Sequence, residues 1–250
     1  LPALPPASHG GSIQTVDLLC LGTRRFLENP LESVLEAPRK GVKLEAKVHI
    51  QSGEALELFR LLVERKICHW IEDDHVMRVG GTQILNGMFA VGKGTHLETG
   101  EEIQRVIMNL IPCNGVCKQA QGGTQNLPSI CQYLSLVLNS DHRLALYQSD
   151  MVSAFYLFRL PVQWHPLMAF NIWFDGKDIG LQEGQRFRPC CAVIPMGWSS
   201  AVAIMQELAE KLSELGRLPR SHMIRRCAPL PPWLTDMADE AASTGRPWFH

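Results

Sequence analysis

The segment LYQSDMVSAFYLFRLP, residues 146–161, decides how the rest of this sequence is interpreted. An apolar strand predicted over 144–149 leads directly to one carboxylate, Asp150, and an aromatic residue, Phe155, follows five positions later. A metal-dependent phosphoryl transferase needs a carboxylate on a rigid strand end, where it can bind a Mg²⁺ ion that bridges the phosphates and the attacking oxygen. An aspartate after a strand is also a common turn or cap residue, so the neighbouring segments decide between the two interpretations.

Composition and charge indicate an ordinary globular chain. Of its 250 residues, 46% are hydrophobic and 20% are charged, and the formal net charge is −1. This balance is unlike that of a stand-alone nucleic-acid-binding protein, but an enzyme whose basic residues line one groove can have it. The eight cysteines form no Cys-x-x-Cys pair, so a zinc site is not expected. Without a signal peptide or an apolar run of about 20 residues, we expect a reduced, intracellular protein with no membrane segment, in nucleus or cytoplasm.

Helical and strand patterns alternate without a regular βαβ order, which predicts an α+β fold. Residues 1–12 are rich in Pro, Gly and Ser and are expected to be unstructured, and residues 13–45 are left unassigned. The predicted elements are a helix from Ser52 to about Cys68, two short strands over 76–94 with a turn at Gly80–Gly81, a strand over 105–111, a helix over 126–138, strands over 167–174 and 189–194 around a turn at 175–184, and a helix from a Ser199 cap to Gly216.

The segment around Asp150 resembles motif A of reverse transcriptases. The family pattern Asp-x-x-x-Ala-Phe-x-x-x-x-Leu, followed by Pro-Leu-x-Ala-Phe, is matched by Asp150, Ala154, Phe155, Leu160, Pro166, Leu167, Ala169 and Phe170. The resemblance implies that Asp150 is a catalytic metal ligand and that the Met151 carbonyl is a second ligand. It also implies that the Ser153 and Ala154 amides face the triphosphate, and that Phe155 is a steric gate whose ring excludes a 2′-hydroxyl.

Two further segments resemble the same family in the expected order. MFAVGKG at 88–94 and QRVIMNLIPCN at 104–114 are similar to the fingers hairpin, which implies that Lys93 and Arg105 reach over the incoming triphosphate and that Asn114 closes the motif. VIPMGWSSA at 193–201 is similar to motif B, in which Gly197 lets the backbone approach the nucleotide closely. Met196 stands where the family usually has Gln, so a side-chain hydrogen bond to the nucleotide is not expected there.

The resemblance implies a right-hand polymerase fold of the retroelement type. We expect an N-terminal extension at 1–45, fingers at 46–127, palm with motif A at 128–161, a fingers/palm connection at 162–192, and palm with motif B at 193–250. The implied activity is template-directed addition of deoxynucleotides to a primer with two Mg²⁺ or Mn²⁺ ions. Its partners are an RNA or DNA template with primer and deoxynucleoside triphosphates.

A second catalytic carboxylate motif is not found in the sequence. The Tyr-x-Asp-Asp motif is absent from the 250 residues, and the acidic pair Asp73–Asp74, which precedes the fingers match, is expected in a solvated turn. We therefore expect a truncated palm that is inactive alone. The first residue, Leu, also suggests a piece of a longer chain.

Three alternative interpretations remain open. A serine hydrolase would use Ser199 with Asp236 or Asp239 and His250, although no HGGG-type segment precedes it. A phosphate-binding P-loop would use the Gly87–Gly94 segment, although its interior is apolar and strand-like and Gly94 replaces the required hydroxyl. A decayed retroelement remnant would bind nucleic acid or have no function, because one carboxylate cannot hold two metal ions.

Overall fold

The computed structural model describes residues 4–7, 9–51, 53–122, 124, 127, 150–218 and 223. Within these ranges, short helices and small sheets share one hydrophobic core, an α+β arrangement. The strands are β1 (Ile13–Gln14), β2 (Cys68–Glu72), β3 (Arg78–Val79), β4 (Thr82–Gln83), β5 (Gly87–Thr95), β6 (Glu102–Asn109), β7 (Phe158–Arg159), β8 (Phe174–Asp175) and β9 (Arg186–Cys191). The α-helices are α1 (Leu21–Glu28), α2 (Ala55–Glu64), α3 (Ile111–Val116), α4 (Ala154–Leu157) and α5 (Ala201–Leu215).

The long hairpin of β5 and β6 is the most regular element. The two strands pair antiparallel from Gly87 opposite Asn109 to Thr95 opposite Glu102, with a register shift between Gly92 and Gly94. Its base is buried and its far end is exposed on both strands. The extended segment 44–49 lies parallel to this base through isolated bridges. The hairpin therefore projects from the core as an arm.

The base of this arm is held by a buried asparagine. Asn86 donates from Nδ2 to the carbonyls of Leu167 and Ala169, and its Oδ1 accepts from the Cys113 amide at the start of α3. Because buried amides are costly when unpaired, these three hydrogen bonds tie the hairpin to two other segments.

The central sheet has the order β2–β9–β8, with both pairs antiparallel. Beyond β9, the Ile194 amide donates to the Phe158 carbonyl and the Leu160 amide donates to the Ala192 carbonyl. On its other side, β7 pairs parallel with β1. The segment after Asp150 thus lies between the N-terminal strand and the strand that leads to Gly197.

Aromatic packing joins the helices to this sheet region. The Trp164 and Trp198 rings are 4.7 Å apart, and Phe26 of α1 contacts both of them. Trp164 also donates from Nε1 to the Leu27 carbonyl at 2.8 Å. On α5, the buried Glu207 accepts from the Cys20 amide and from the Thr23 hydroxyl, so a polar contact fixes α1 against α5.

Several sequence-based boundaries were wrong. In the N-terminal segment, predicted as unstructured, the Gly11 amide donates to the Tyr156 carbonyl, and Gly10 packs against the Arg65 carbonyl. The helix predicted to reach Cys68 ends at Glu64, because Lys66 takes the left-handed conformation with φ 58° and the chain turns into β2. Ser52 lies outside the described residues.

The predicted strand over 167–174 is also wrong over most of its length. A 3₁₀ helix occupies Val162–Leu167, and only Phe174–Asp175 pair as a strand. The strand predicted over 189–194 is shifted to Arg186–Cys191, and the strand predicted from residue 105 begins at Glu102. The turn at Gly80–Gly81 is confirmed between β3 and β4, and the strand pattern over 76–94 forms three strands rather than two. The predicted helix over 126–138 and strand over 144–149 lie outside the described residues.

The last predicted helix is confirmed with a shifted start. It spans Ala201–Leu215, Ser200 rather than Ser199 occupies its N-cap position, and Gly216 follows its end. No helix in the described part of the chain is both long and apolar enough to cross a bilayer.

Candidate functional site

The two predicted triphosphate-binding cations lie on the two strands of the hairpin. Arg105 of β6 is opposite Val91 of β5, and Lys93 sits at the register shift between Gly92 and Gly94. Both side chains are exposed. Lys93 and Arg105 therefore both lie beyond the buried base of the arm, on its exposed part.

The turn at Gly197 packs against the base of this arm. Gly197 has φ 99°, and a Cβ atom added there would lie 2.7 Å from the Met108 carbonyl oxygen. Asn114 of α3 donates from Nδ2 to the Gly197 carbonyl at 2.9 Å, and its Oδ1 accepts from the Ser199 amide at 2.8 Å. Two features therefore require glycine at position 197: the left-handed backbone conformation and the close approach of the Met108 carbonyl oxygen.

The segment predicted as motif A lies beside the strand that leads to this turn. Asp150 is exposed, and Met151 and Val152 follow it with exposed side chains. Ser153 takes the left-handed conformation with φ 56°, and the short helix α4 begins at Ala154. A non-glycine residue in this conformation is uncommon and is often found at a site where the backbone must turn towards a ligand.

Phe155 and Tyr156 of α4 are half-buried and pack on the core. Burial, together with the nearby Cys191 and Cys68 thiols, raises the pKa of Tyr156 to about 12, while the positive charge of Arg105 acts in the opposite direction. The pKa of this phenol therefore reflects the packing of α4 on the core beside Cys68 and Cys191.

The fold connects two of the predicted segments. Gly197 lies against the Met108 carbonyl of β6, and the strand before Gly197 pairs with the segment after α4. Met196 is half-buried next to Gly197. Among the described residues, no side-chain hydrogen bond or ion pair links Lys93, Arg105 or Asp150 to α4 or to the Gly197 turn. The part played by Met108 was missed in the sequence, because an apolar strand residue gives no sign that its carbonyl will face a glycine.

One carboxylate is available here for a metal ion. Asp150 and the Met151 carbonyl offer oxygen ligands at an exposed turn. Mg²⁺ usually binds proteins through one or two carboxylates with substrate phosphates and water as the remaining ligands. These two oxygens could bind a metal ion that arrives with a triphosphate, and within the described ranges no group of three or more possible His, Cys, Asp or Glu ligands includes Asp150.

The acidic pair Asp73–Asp74 was expected in a solvated turn, and for Asp73 this is wrong. Asp73 is half-buried and accepts a hydrogen bond from the Arg188 guanidinium. Burial would raise the pKa of Asp73, but the hydrogen bond and the charge of Arg188 hold it below its ordinary value. Nearby, Glu72, Asp74 and His75 have potential ligand atoms within 4.8 Å of one another, on a segment that contains no predicted site residue.

The alternative interpretations gain little from the geometry. The Ser199 hydroxyl is buried and has no hydrogen-bond partner among the described residues, and Asp236, Asp239 and His250 lie outside them. The segment predicted to be unsuitable for a P-loop is indeed a β-strand, β5, which continues through a turn into β6 and not into a helix.

Neither the models of known protein families nor the curated proteins contain a match to this chain. The resemblance to reverse transcriptases therefore depends on the residues of the three motifs.

Proposed function

We propose that this chain forms the nucleotide-binding part of a reverse-transcriptase-like polymerase site, with fingers and partial palm of the right-hand type. The proposal depends above all on one observation: the hairpin with Lys93 and Arg105 is anchored at its base to the Gly197 turn. These segments are separated in the sequence, and their association is what a triphosphate-binding cleft requires.

In this proposal the hairpin binds the phosphates of a deoxynucleoside triphosphate. The Arg105 guanidinium donates two parallel hydrogen bonds to phosphate oxygens, and the Lys93 ammonium acts as a mobile point charge. Both stabilise the negative charge that increases on the transferred phosphoryl group. Their exposure in the free chain is compatible with an arm that closes on its ligand.

The remaining residues position the sugar and the base. Phe155 would lie beneath the sugar and exclude a 2′-hydroxyl, and the amides of Ser153 and Ala154 would face the triphosphate. The Gly197 turn, with Met196 before it, would form a wall against the base pair, because only a residue without Cβ lets the backbone approach so closely.

Asp150 and the Met151 carbonyl would bind Mg²⁺ or Mn²⁺ together with the triphosphate. When bound, such an ion neutralises phosphate charge and lowers the pKa of an attacking hydroxyl. Template-directed extension of a primer on RNA or DNA would further require a second carboxylate, for which the 250 residues contain no Tyr-x-Asp-Asp motif. Nucleotide binding and primer extension are therefore tested separately.

Titration of a fluorescent dATP derivative in Mg²⁺ buffer tests the proposal. The substitutions Lys93→Gln and Arg105→Gln should each weaken binding about tenfold or more, because each removes a charge-assisted contact to phosphate. Lys177→Gln, which removes an exposed cation from the turn after β8, serves as the matched control and should leave binding unchanged. Equal affinities for all four proteins, or no binding, would refute the assignment.

Primer extension, measured for this chain beside a longer one that carries a second carboxylate motif, then separates two functions. Extension that Asp150→Asn abolishes would establish a polymerase. Nucleotide binding without extension, in a chain extended by a second carboxylate motif, would instead favour a remnant that retains only binding.

A further inference from the structure

A pocket is formed beside β2 and β7. It has a volume of about 240 Å³ and opens where the end of α2, the start of β2 and the segment after β7 meet. Its lining is formed by Val63, Lys66, Cys68, His69, Arg159, Leu160, Val162, His165 and Ala192. None of the residues proposed to contact the nucleotide lines it.

The charged residues of this pocket all have the same sign. Lys66 and Arg159 contribute positive charges, and no aspartate or glutamate is among the described lining residues. Three carbonyls near the end of α2, which could oppose an anion, already accept backbone hydrogen bonds from Arg65, Lys66 and Ile67. The electrostatic potential of the pocket therefore favours a negatively charged ligand.

The pocket also contains a buried polar atom without a partner. His165 is only 8% exposed, and its Nε2 has no hydrogen-bond partner among the described residues. The Leu160 backbone acts to raise the pKa of the ring, against the larger effect of burial. A buried polar atom without a partner is unfavourable unless a ligand or water completes its hydrogen bonding.

The two histidines of the pocket are neighbours. The rings of His69 and His165 have centroids 5.6 Å apart. Burial, followed by the charge of His69, lowers the pKa of His165 to about 4, so the ring is neutral in the free protein at pH 7. An anion bound beside the His165 ring would stabilise its protonated form.

We propose that this pocket binds a dianionic phosphate group of the monoester class. Lys66 and Arg159 neutralise its charge. Nε2 of His165 takes a proton from solvent and donates it to the phosphate in a hydrogen bond. A phosphate monoester carries a charge of about −1.5 to −2 at pH 7 and has three acceptor oxygens. A phosphodiester has a single negative charge, so two cations and two histidines favour the monoester.

Calorimetric titration with sulfate is the first test, because sulfate keeps its double charge throughout the range from pH 5.5 to 7.5. We expect sulfate affinity to increase about tenfold over this range as the pH falls, since bound anion favours protonated His165. Inorganic phosphate at pH 7.5 should compete with sulfate. A 5′-phosphorylated dinucleotide should compete as well, and the same dinucleotide with a 5′-hydroxyl should not.

Two substitutions test the assignment of the pocket. Lys66→Asn, in which asparagine tolerates the left-handed backbone, should weaken sulfate binding about tenfold. His165→Gln should remove most of the pH dependence. Lys177→Gln on the turn after β8 should have no effect, which distinguishes this pocket from general charge effects.

The ring resonances of His165 in the unsubstituted protein provide a measurement that does not depend on any variant folding. Saturating sulfate should raise the pH at which this ring titrates by about 2.5 units, because a pKa of about 4 must rise that far for affinity to change tenfold by pH 5.5. Absence of sulfate binding, binding that Lys66→Asn leaves unchanged, or a ring that titrates identically with and without sulfate would each overturn the proposal. Binding of Zn²⁺ with loss of both histidine signals, in the absence of any response to sulfate, would assign the pocket to a metal instead.

Discussion

At the scale of single residues, Gly197 has the clearest structural requirement. Its φ of 99° is unfavourable for any residue with a Cβ, and that Cβ would also lie 2.7 Å from the Met108 carbonyl oxygen. Gly180 has φ 75°, but a Cβ added at Gly180 would have no neighbouring atom within 4 Å. The two glycines therefore separate the cost of backbone conformation from the cost of a close contact.

We expect Gly197→Ala to lower the free energy of unfolding by about 2–3 kcal/mol, and Gly180→Ala to lower it by only about 1 kcal/mol. Urea denaturation of both variants measures the difference. An equal loss of unfolding free energy in the two variants would mean that the Met108 backbone moves away from the added Cβ at no cost. The Gly197 turn would then not be held against the hairpin.

His165 gives a prediction about pH. Its pKa in the folded chain is about 4, below the ordinary value of 6.5, so the unfolded chain binds a proton at a pH where the folded chain does not. The stability that this neutral ring contributes is present above pH 6.5 and is lost as the pH falls towards 4. Relative to His165→Gln, the protein without added anion should lose about 1–2 kcal/mol between pH 7.5 and 5.

The measurement is urea denaturation of both proteins at several pH values. Parallel pH profiles for the protein and its His165→Gln variant would contradict the prediction. Added sulfate should reduce the loss, because the proposed pocket ligand stabilises the protonated ring.

Phe155 carries the proposed sugar selection. Because its ring is half-buried and packs on the core, Phe155→Val should remove bulk from the site while retaining an apolar side chain. We expect the preference for deoxyadenosine over adenosine triphosphate in competition binding to fall about tenfold or more. Tyr156→Phe, one position along the same helix, is the control and should preserve the preference. An unchanged preference in Phe155→Val would show that another residue selects the sugar.

At the scale of elements, Asn114 links α3 to the Gly197 turn. Its side chain makes two hydrogen bonds, one to the Gly197 carbonyl and one from the Ser199 amide. We expect Asn114→Ala to destabilise the chain by about 1–2 kcal/mol and to weaken nucleotide binding, because the turn loses its anchor. Asn29→Ala removes a single exposed hydrogen bond at the end of α1 and should cost clearly less. Similar losses in the two variants, measured by thermal and urea unfolding, would contradict this role.

Elements with a strong periodic pattern could be predicted from the sequence. Helix α5 and the Gly80–Gly81 turn follow from local residues, since apolar spacing and paired glycines act within a few positions. The strand predicted over 167–174 was wrong because the apolar residues of this segment are buried by tertiary packing. Phe170 packs in the core together with the neighbouring Trp164. Apolar runs without alternation indicate burial and do not identify the backbone conformation.

The candidate site was predictable only in part, because some of its features depend on tertiary packing. A glycine such as Gly197 indicates an unusual backbone conformation in the sequence itself, and Lys93 and Arg105 indicate positive charge. The contact with Met108 and the orphan Nε2 of His165 depend on the tertiary fold, and local sequence contains no sign of either.

At the scale of the whole molecule, the N-terminal segment completes the packing around α4. The Gly11 amide donates to the Tyr156 carbonyl, and the Arg159 side chain donates to the Gly11 carbonyl. Gly10 lies so close to the Arg65 carbonyl that a Cβ there would be 1.8 Å from its oxygen. The N-terminal residues therefore belong to the same packed body as the proposed site.

The most direct test of a nucleotide site between the hairpin and the Gly197 turn is photoaffinity labelling with an azido derivative of dATP in Mg²⁺ buffer, followed by mass spectrometry of the labelled peptides. We predict modification within residues 87–109, 150–157 or 193–200, suppressed by unlabelled dATP and reduced by Arg105→Gln. Labels confined to other segments, or labelling that neither unlabelled dATP nor removal of Mg²⁺ changes, would contradict such a site.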